Sequence, residues 1–223
     1  MDKEKQLEQY LSKLSEQHKE IVSTGKRLVD SYKFYYQFDA YCIALLNRSV
    51  NIINGFVALA KLDNYISSFT LVRVHLDSLL RLYAFQLIDD NIDNIALQIA
   101  DGKQMKDFKC KTSNRKLTDG YLVQKLSEIE GFEWVSTVYD TGNGFIHLSD
   151  KHMMTSMRKD FNKGVFSSVI GVGNNFIEID DKIGACIYMM KITRGIYTFI
   201  ESWITQKGSY NNENLNHGAT SGV

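Results

Sequence analysis

The chain has 223 residues, 44% hydrophobic and 23% charged, which is typical of a globular protein long enough to bury a substantial core. Its 26 basic and 26 acidic side chains balance, so any contact with nucleic acid must come from a local patch. Three widely spaced cysteines, Cys42, Cys110 and Cys186, indicate neither a disulfide framework nor a zinc knuckle. The polar N-terminus is unlike a signal peptide, and no apolar run approaches the ~18 residues of a membrane span, so we expect a cytoplasmic protein without membrane association.

Apolar residues at helical spacing predict a series of helices in the first half of the chain. An amphipathic pattern runs from Lys3 to about Tyr36, as one helix or as two helices divided near Gly25. A more uniformly apolar segment, 37–61, is expected to form a central helix, and 65–88 is the next helix. The absence of proline removes the commonest interruption of long helices.

The second half of the chain alternates short helical segments with loops. A helix is predicted over 92–100, then a charged loop over 102–116, then helical segments over 118–129 and 132–147. Residues 165–179 predict a β-hairpin that turns at Gly171–Asn175, and Asp180-Asp181 begins a last helix through about Gln206. We therefore predict an all-α, multi-helix bundle with a small β-hairpin inserted before the last helix. Residues 1–206 are expected to form a single domain, and 207–223 a disordered polar tail.

A stripe of charge runs through the apolar helix predicted over 65–88. Arg73, Asp77 and Arg81 follow one another at i, i+4 spacing, with apolar residues on both flanks of the stripe. Because burying an unpaired charge is unfavourable, we expect Asp77 to bridge the two arginines. One positive charge then remains for a partner from elsewhere in the chain.

Residues 132–154 are dense in polar and proton-active side chains, namely Tyr139, Asn143, His147, Ser149, Asp150 and His152. A long helix with a basic stripe, followed by a helix that ends in polar-x-x-x-His, resembles the HEPN superfamily of helical bundles. Members of that superfamily are commonly ribonucleases of bacterial toxin and antiviral systems, or nucleotide-handling relatives, and they often dimerise. The Tyr139 to Ser149 string is also similar to uncharacterised bacterial proteins with divergent HEPN-like bundles.

The resemblance implies an RNA-binding protein, plausible in a bacterial stress or antiviral response, with a possible metal-independent ribonuclease activity and no cofactor. His147 would transfer protons, Asn143 would orient it or contact substrate, and Arg73 or Arg81 would face the phosphate. Gly142 occupies the position at which the HEPN motif has arginine. The alternative is therefore a non-catalytic protein-interaction or dimerisation module, with a partner surface on the N-terminal helices.

The loop 102–116 supplies the densest basic run, and we expect Lys106, Lys109 and Lys111 to grip RNA beside Phe108 as a stacking aromatic. A solvated charged loop is the alternative. Asp77 and Ser149 complete the predicted substrate-binding set, with helix capping as the alternative for Ser149.

No metal site is predicted, because the i, i+5 spacing of His147 and His152 fits neither one helix face nor a zinc pattern. His75 lies on a different arc from the stripe, and we expect it at the surface or at the boundary of the core.

Overall fold

The computed structural model describes residues 2–160, 164–171 and 176–218. Two short 3-10 turns, Phe85–Leu87 and Met105–Asp107, accompany the main elements. The helices and strands are α1 (Lys3–Asp30), α2 (Gln37–Lys61), α3 (Tyr65–Ala84), α4 (Ile92–Ala100), α5 (Asp119–Ser127), α6 (Trp134–Ile146), α7 (Asp150–Ser156), β1 (Met157–Asp160), β2 (Val165–Ser168) and α8 (Ile179–Gly218). The predicted all-α bundle with a small hairpin before the last helix is confirmed.

Helices α2 and α3 lie at the centre of the bundle. Helix α1 packs on α2 and α8, and α3 packs on α2, α6 and α8. The first helix continues through Gly25, and its apolar stripe is buried against its neighbours, with core residues Leu7, Leu11, Leu14, Ile21 and Leu28. The main apolar stripe of α1, one of the helices expected to supply a partner surface in a non-catalytic module, is therefore covered within the bundle, and Val22 and Val29 remain exposed.

The sequence pattern predicts no apolar segment of the length of a membrane span, and helix α2 differs from that expectation. It is long and apolar enough to cross a membrane by length and composition, with a mean hydropathy of 1.4 over its most apolar window. A buried core helix meets the same criterion. Phe38, Leu46, Ile53 and Phe56 lie in the core of the bundle.

The β-hairpin lies earlier in the chain than predicted. Strand β1 pairs antiparallel with β2, with Met157 opposite Ser168 and Asp160 opposite Val165. The predicted strand beginning at Val165 therefore pairs with the segment that precedes it, because the backbone becomes extended at Met157, where α7 ends. Most of the predicted turn, 172–175, falls outside the described residues, and 176–178 is not a strand.

The disordered tail was predicted over 207–223; in the structure α8 continues through this segment to Gly218, and 219–223 lie outside the described residues. Lys207 is buried, its Nζ lies 3.0 Å from Asp39 Oδ2, and it donates a hydrogen bond to the Leu28 carbonyl at 2.8 Å. Tyr210 packs edge-on against Trp203, with 5.2 Å between ring centroids. The sequence pattern missed this part of α8 because its composition is polar. The segment is held mainly by one buried lysine, Lys207, and its carboxylate partner Asp39.

Candidate functional site

Arg73 lies where α3, α5 and α6 meet, and its guanidinium is enclosed by side chains of this chain. Its Nη2 donates to Asp119 Oδ2 at 3.0 Å, and its Nε donates to Asn143 Oδ1 at 3.1 Å. The guanidinium carbon also lies 4.4 Å from the centre of the Tyr139 ring. With a side chain only 8% exposed, Arg73 is positioned to hold the three helices together rather than to bind a phosphate.

Asp119 links the two arginines of the stripe, and Asp77 binds one of them. Asp119 accepts hydrogen bonds from Arg73 through one oxygen and from Arg81 through the other, and Arg81 is 3.0 Å from Asp77. Asp77 also lies 3.8 Å from Arg48 on α2. We call Arg48, Arg73, Asp77, Arg81 and Asp119 the ion-pair cluster. The expectation that Asp77 bridges Arg73 and Arg81 is wrong, because Asp119 at the start of α5 makes that bridge.

Gly142 permits the close approach of α6 to α3 at this point. A Cβ atom at position 142 would lie 2.6 Å from the Cβ of Arg73, which is closer than such atoms approach. The contact is with the base of the Arg73 side chain, so a rotamer change at its far end does not relieve it. An arginine here, as in the HEPN motif, would therefore require the two helices to separate.

His147 does not take part in the hydrogen bonds of the arginines with which it was expected to act. It follows the last turn of α6, is exposed, and its side chain makes no hydrogen bond or ion pair with another described residue. Asn143, one turn earlier, is instead bound to Arg73. The structure brings together Asn143, Arg73 and Arg81 through the ion-pair cluster, but not His147.

Ser149 caps α7. Its hydroxyl accepts from the Lys151 amide at 3.2 Å and donates to the Gly144 carbonyl at 2.7 Å. This is the capping alternative for Ser149, and both hydrogen bonds are local.

His75 lies in the core, contrary to the expectation of a surface or boundary position. It is fully buried on α3, and its Nε2 is 2.9 Å from the Thr193 hydroxyl of α8. Burial, assisted by the positive charge of Arg48, lowers the pKa of His75 to about 3, so the ring is neutral at physiological pH. Within the described ranges, no group of three His, Cys, Asp or Glu side chains is placed to hold a metal ion.

The predicted basic loop is an ordered structure with an apolar underside. Met105, Phe108 and Cys110 are buried, and the Lys111 amide donates to the Leu87 carbonyl at 2.8 Å. Phe108 therefore cannot stack on a nucleobase as predicted, and Lys103 Nζ covers its ring at 4.0 Å. The sequence pattern missed this burial because the apolar residues of the loop follow no helical or strand period.

The lysines of this loop point outward from that framework. Lys106, Lys109, Lys111 and Lys116 are all exposed, and we call these four residues the basic face. An antiparallel bridge places Lys109 directly opposite Lys116. Like charges in that arrangement repel each other, so a bound polyanion would relieve an unfavourable interaction.

A cleft of about 610 Å³ lies between the ion-pair cluster and the loop. We call it the Arg81 cleft; its polar lining comprises Tyr41, Arg81, Lys103, Gln104, Lys106, Thr118 and Asp119. The charged stripe and the basic loop, which the sequence presents as separate signals, therefore meet at Arg81. A second cleft, of about 980 Å³, lies between α6, α7, the hairpin and the start of α8, and is mainly apolar.

Comparisons with protein-family models, with curated proteins and with solved structures find no match for this chain.

Proposed function

We propose that this protein is an HEPN-like bundle that binds RNA through the basic face without cleaving it. The observation that carries the proposal is the outward display of four lysines on an ordered loop. A rigid loop loses less conformational entropy on binding than a flexible one, and each phosphate it neutralises releases condensed counterions. The resemblance to HEPN proteins extends the proposal to a cytoplasmic role in bacterial stress or antiviral defence.

The surroundings of the motif support binding rather than ribonuclease activity. Cleavage requires a proton-transfer group beside a charge that stabilises the phosphate. Arg73 has donors committed to Asp119 and Asn143, and Gly142 leaves no room for an arginine. His147 is exposed, and its side chain makes no hydrogen bond or ion pair with another described residue.

Replacing Lys106, Lys109 and Lys111 together with glutamine should weaken RNA binding and flatten its dependence on salt. For single-stranded RNA, the slope of log affinity against log salt should fall by about 0.7 for each phosphate that the variant no longer neutralises, or by about 2 for three phosphates. Fluorescence anisotropy with a labelled oligonucleotide over a series of salt concentrations measures both quantities. Unchanged affinity and slope would show that the loop is merely solvated.

The His147→Ala variant is the matched control for this experiment. We expect it to bind RNA like the wild type, and both proteins to leave RNA intact during incubation with a chelator. RNA cleavage by the wild type that disappears in His147→Ala would replace the binding proposal with ribonuclease activity.

Self-association is a second candidate function, and an exposed apolar face favours it. Leu148, Met154, Val165 and Ile170 are 91%, 69%, 51% and 104% exposed, and they belong to or flank a two-stranded sheet whose strands pair, among the described residues, only with each other. If this face forms a homodimer, Met154→Lys should shift the protein toward monomer in light scattering at increasing concentration. Val22→Lys, at an exposed apolar residue of α1, is the control. A wild type that remains monomeric would exclude this role.

A further inference from the structure

Arg81 lines the cleft and has a guanidinium nitrogen that no described residue satisfies. Arg81 Nη2 donates to Asp119 and lies 3.0 Å from Asp77, whereas its Nη1 is buried and has no hydrogen-bond partner in the described part of the chain. Buried polar groups of folded proteins almost always have partners, so an unsatisfied guanidinium nitrogen beside a cleft points to a missing acceptor. An oxyanion bound next to Arg81 would supply one.

Two lysines from the loop add positive charge to the same cleft. Lys103 is held in place, because its Nζ donates to Gln98 Oε1 at 2.7 Å and covers the Phe108 ring. Lys106 is exposed and forms no ion pair with another described residue. Asp119 is the acidic residue of the lining, and both of its oxygens already accept from arginines. The cleft therefore has excess positive charge.

The start of α5 lines the cleft through Thr118 and Asp119. Thr118 precedes the helix, but its side chain makes no capping hydrogen bond with the first turn. The positive end of the helix dipole and its first amide groups favour a bound anion at such a position. The volume of about 610 Å³ falls within the range of small-molecule sites.

We infer that the Arg81 cleft binds a phosphomonoester, at a site that shares Lys106 with the basic face but does not include Lys109, Lys111 or Lys116. A phosphomonoester dianion matches the excess charge better than a single-charge phosphodiester, and it offers several oxygens to the guanidinium and the two lysines. The phosphate can come from the end of an RNA chain or from a small phosphorylated molecule. Binding at the cleft does not depend on the proposed RNA binding by the basic face.

Inorganic phosphate is the probe that tests the cleft, with sodium chloride at equal ionic strength as the control. Phosphate should raise the unfolding temperature of the wild type beyond the chloride effect, because a ligand that binds the folded state stabilises it. A Lys103→Ala/Lys106→Ala variant should need at least about tenfold more phosphate for the same rise. The matched variant Lys109→Ala/Lys111→Ala, from the same loop, should respond like the wild type. No phosphate-specific rise, or an equal loss in both variants, would overturn the inference.

Two RNA oligonucleotides of one sequence, with a 5′-phosphate or a 5′-hydroxyl, then distinguish the sources of the phosphate. A preference for the phosphorylated RNA that disappears in Lys103→Ala/Lys106→Ala supports an RNA terminus as ligand. Equal binding of both RNAs, together with a specific phosphate response, supports a small phosphorylated molecule. If RNA binding fails while the phosphate response persists, the proposed function is wrong and the cleft remains a site.

Discussion

Replacing Lys207 with methionine should lower the free energy of unfolding by about 3–5 kcal/mol, because it leaves the fully buried carboxylate of Asp39 without its counter-charge. The methionine keeps most of the apolar stem, so the loss reports the ammonium group rather than the packing volume. In a chain of this length, the expected fall in melting temperature is on the order of 10 °C. Thermal and urea unfolding followed by circular dichroism measure both quantities.

Lys191→Met is the matched control, since it makes the same substitution at an exposed position of the same helix. Its effect should stay within the ~0.5 kcal/mol typical of surface changes. Adding Asp39→Asn to Lys207→Met should recover part of the loss, because the amide is neutral and its oxygen can still accept from Trp203 Nε1. A Lys207→Met loss no larger than that of Lys191→Met would show that the end of α8 contributes little to the fold.

The sequence predicted the helices of the bundle because their apolar faces repeat at helical spacing. The predicted ranges 37–61 and 92–100 agree with α2 and α4, and the start at Tyr65 agrees with α3. Helical spacing of apolar residues did not predict the end of α8, which is held on the bundle mainly by one polar residue. Lys207 ends up in the core through a contact with Asp39, 168 positions earlier in the chain, and no local period records such a contact.

The candidate site was predictable only in part, for a related reason. The stripe of Arg73, Asp77 and Arg81 indicated buried charge and a charged partner from elsewhere in the chain. Asp119 is such a partner. Sequence spacing could not identify Asp119, because the connection between α3 and α5 determines which carboxylate arrives at the stripe. In the sequence Gly142 is a departure from the HEPN motif, whereas in three dimensions it is the residue that lets α6 contact α3.

The fold also groups the predicted functional residues differently from the sequence. The sequence associated the stripe with His147, since both belong to the HEPN resemblance. The structure instead places Arg81 beside Lys103 and Lys106 at one cleft. The proposed anion binding is therefore assigned to this cleft and not to His147, whose side chain makes no hydrogen bond or ion pair with another described residue.

Asp119→Ala should lower the free energy of unfolding by about 3 kcal/mol. We expect this loss to be larger than that caused by Asp77→Ala. Removing Asp119 leaves the buried Arg73 without a carboxylate and removes one of the two partners of Arg81. Asp77 is about as exposed as Asp119, at 28% against 32%, but it pairs with Arg81 and Arg48, which both retain solvent contact, so its removal should cost about 1 kcal/mol.

Urea unfolding of the two variants beside the wild type measures this difference. Asp119→Asn separates the effect of charge from that of hydrogen bonding, because it keeps an oxygen for one arginine. Its free energy of unfolding should lie between those of the wild type and Asp119→Ala. Combining Asp119→Ala with Arg73→Met removes the stranded charge, and the double variant should be more stable than Asp119→Ala alone. If Asp77→Ala proved the more damaging change, the stripe would be held together within α3, and α5 would be attached to the bundle chiefly by its apolar residues.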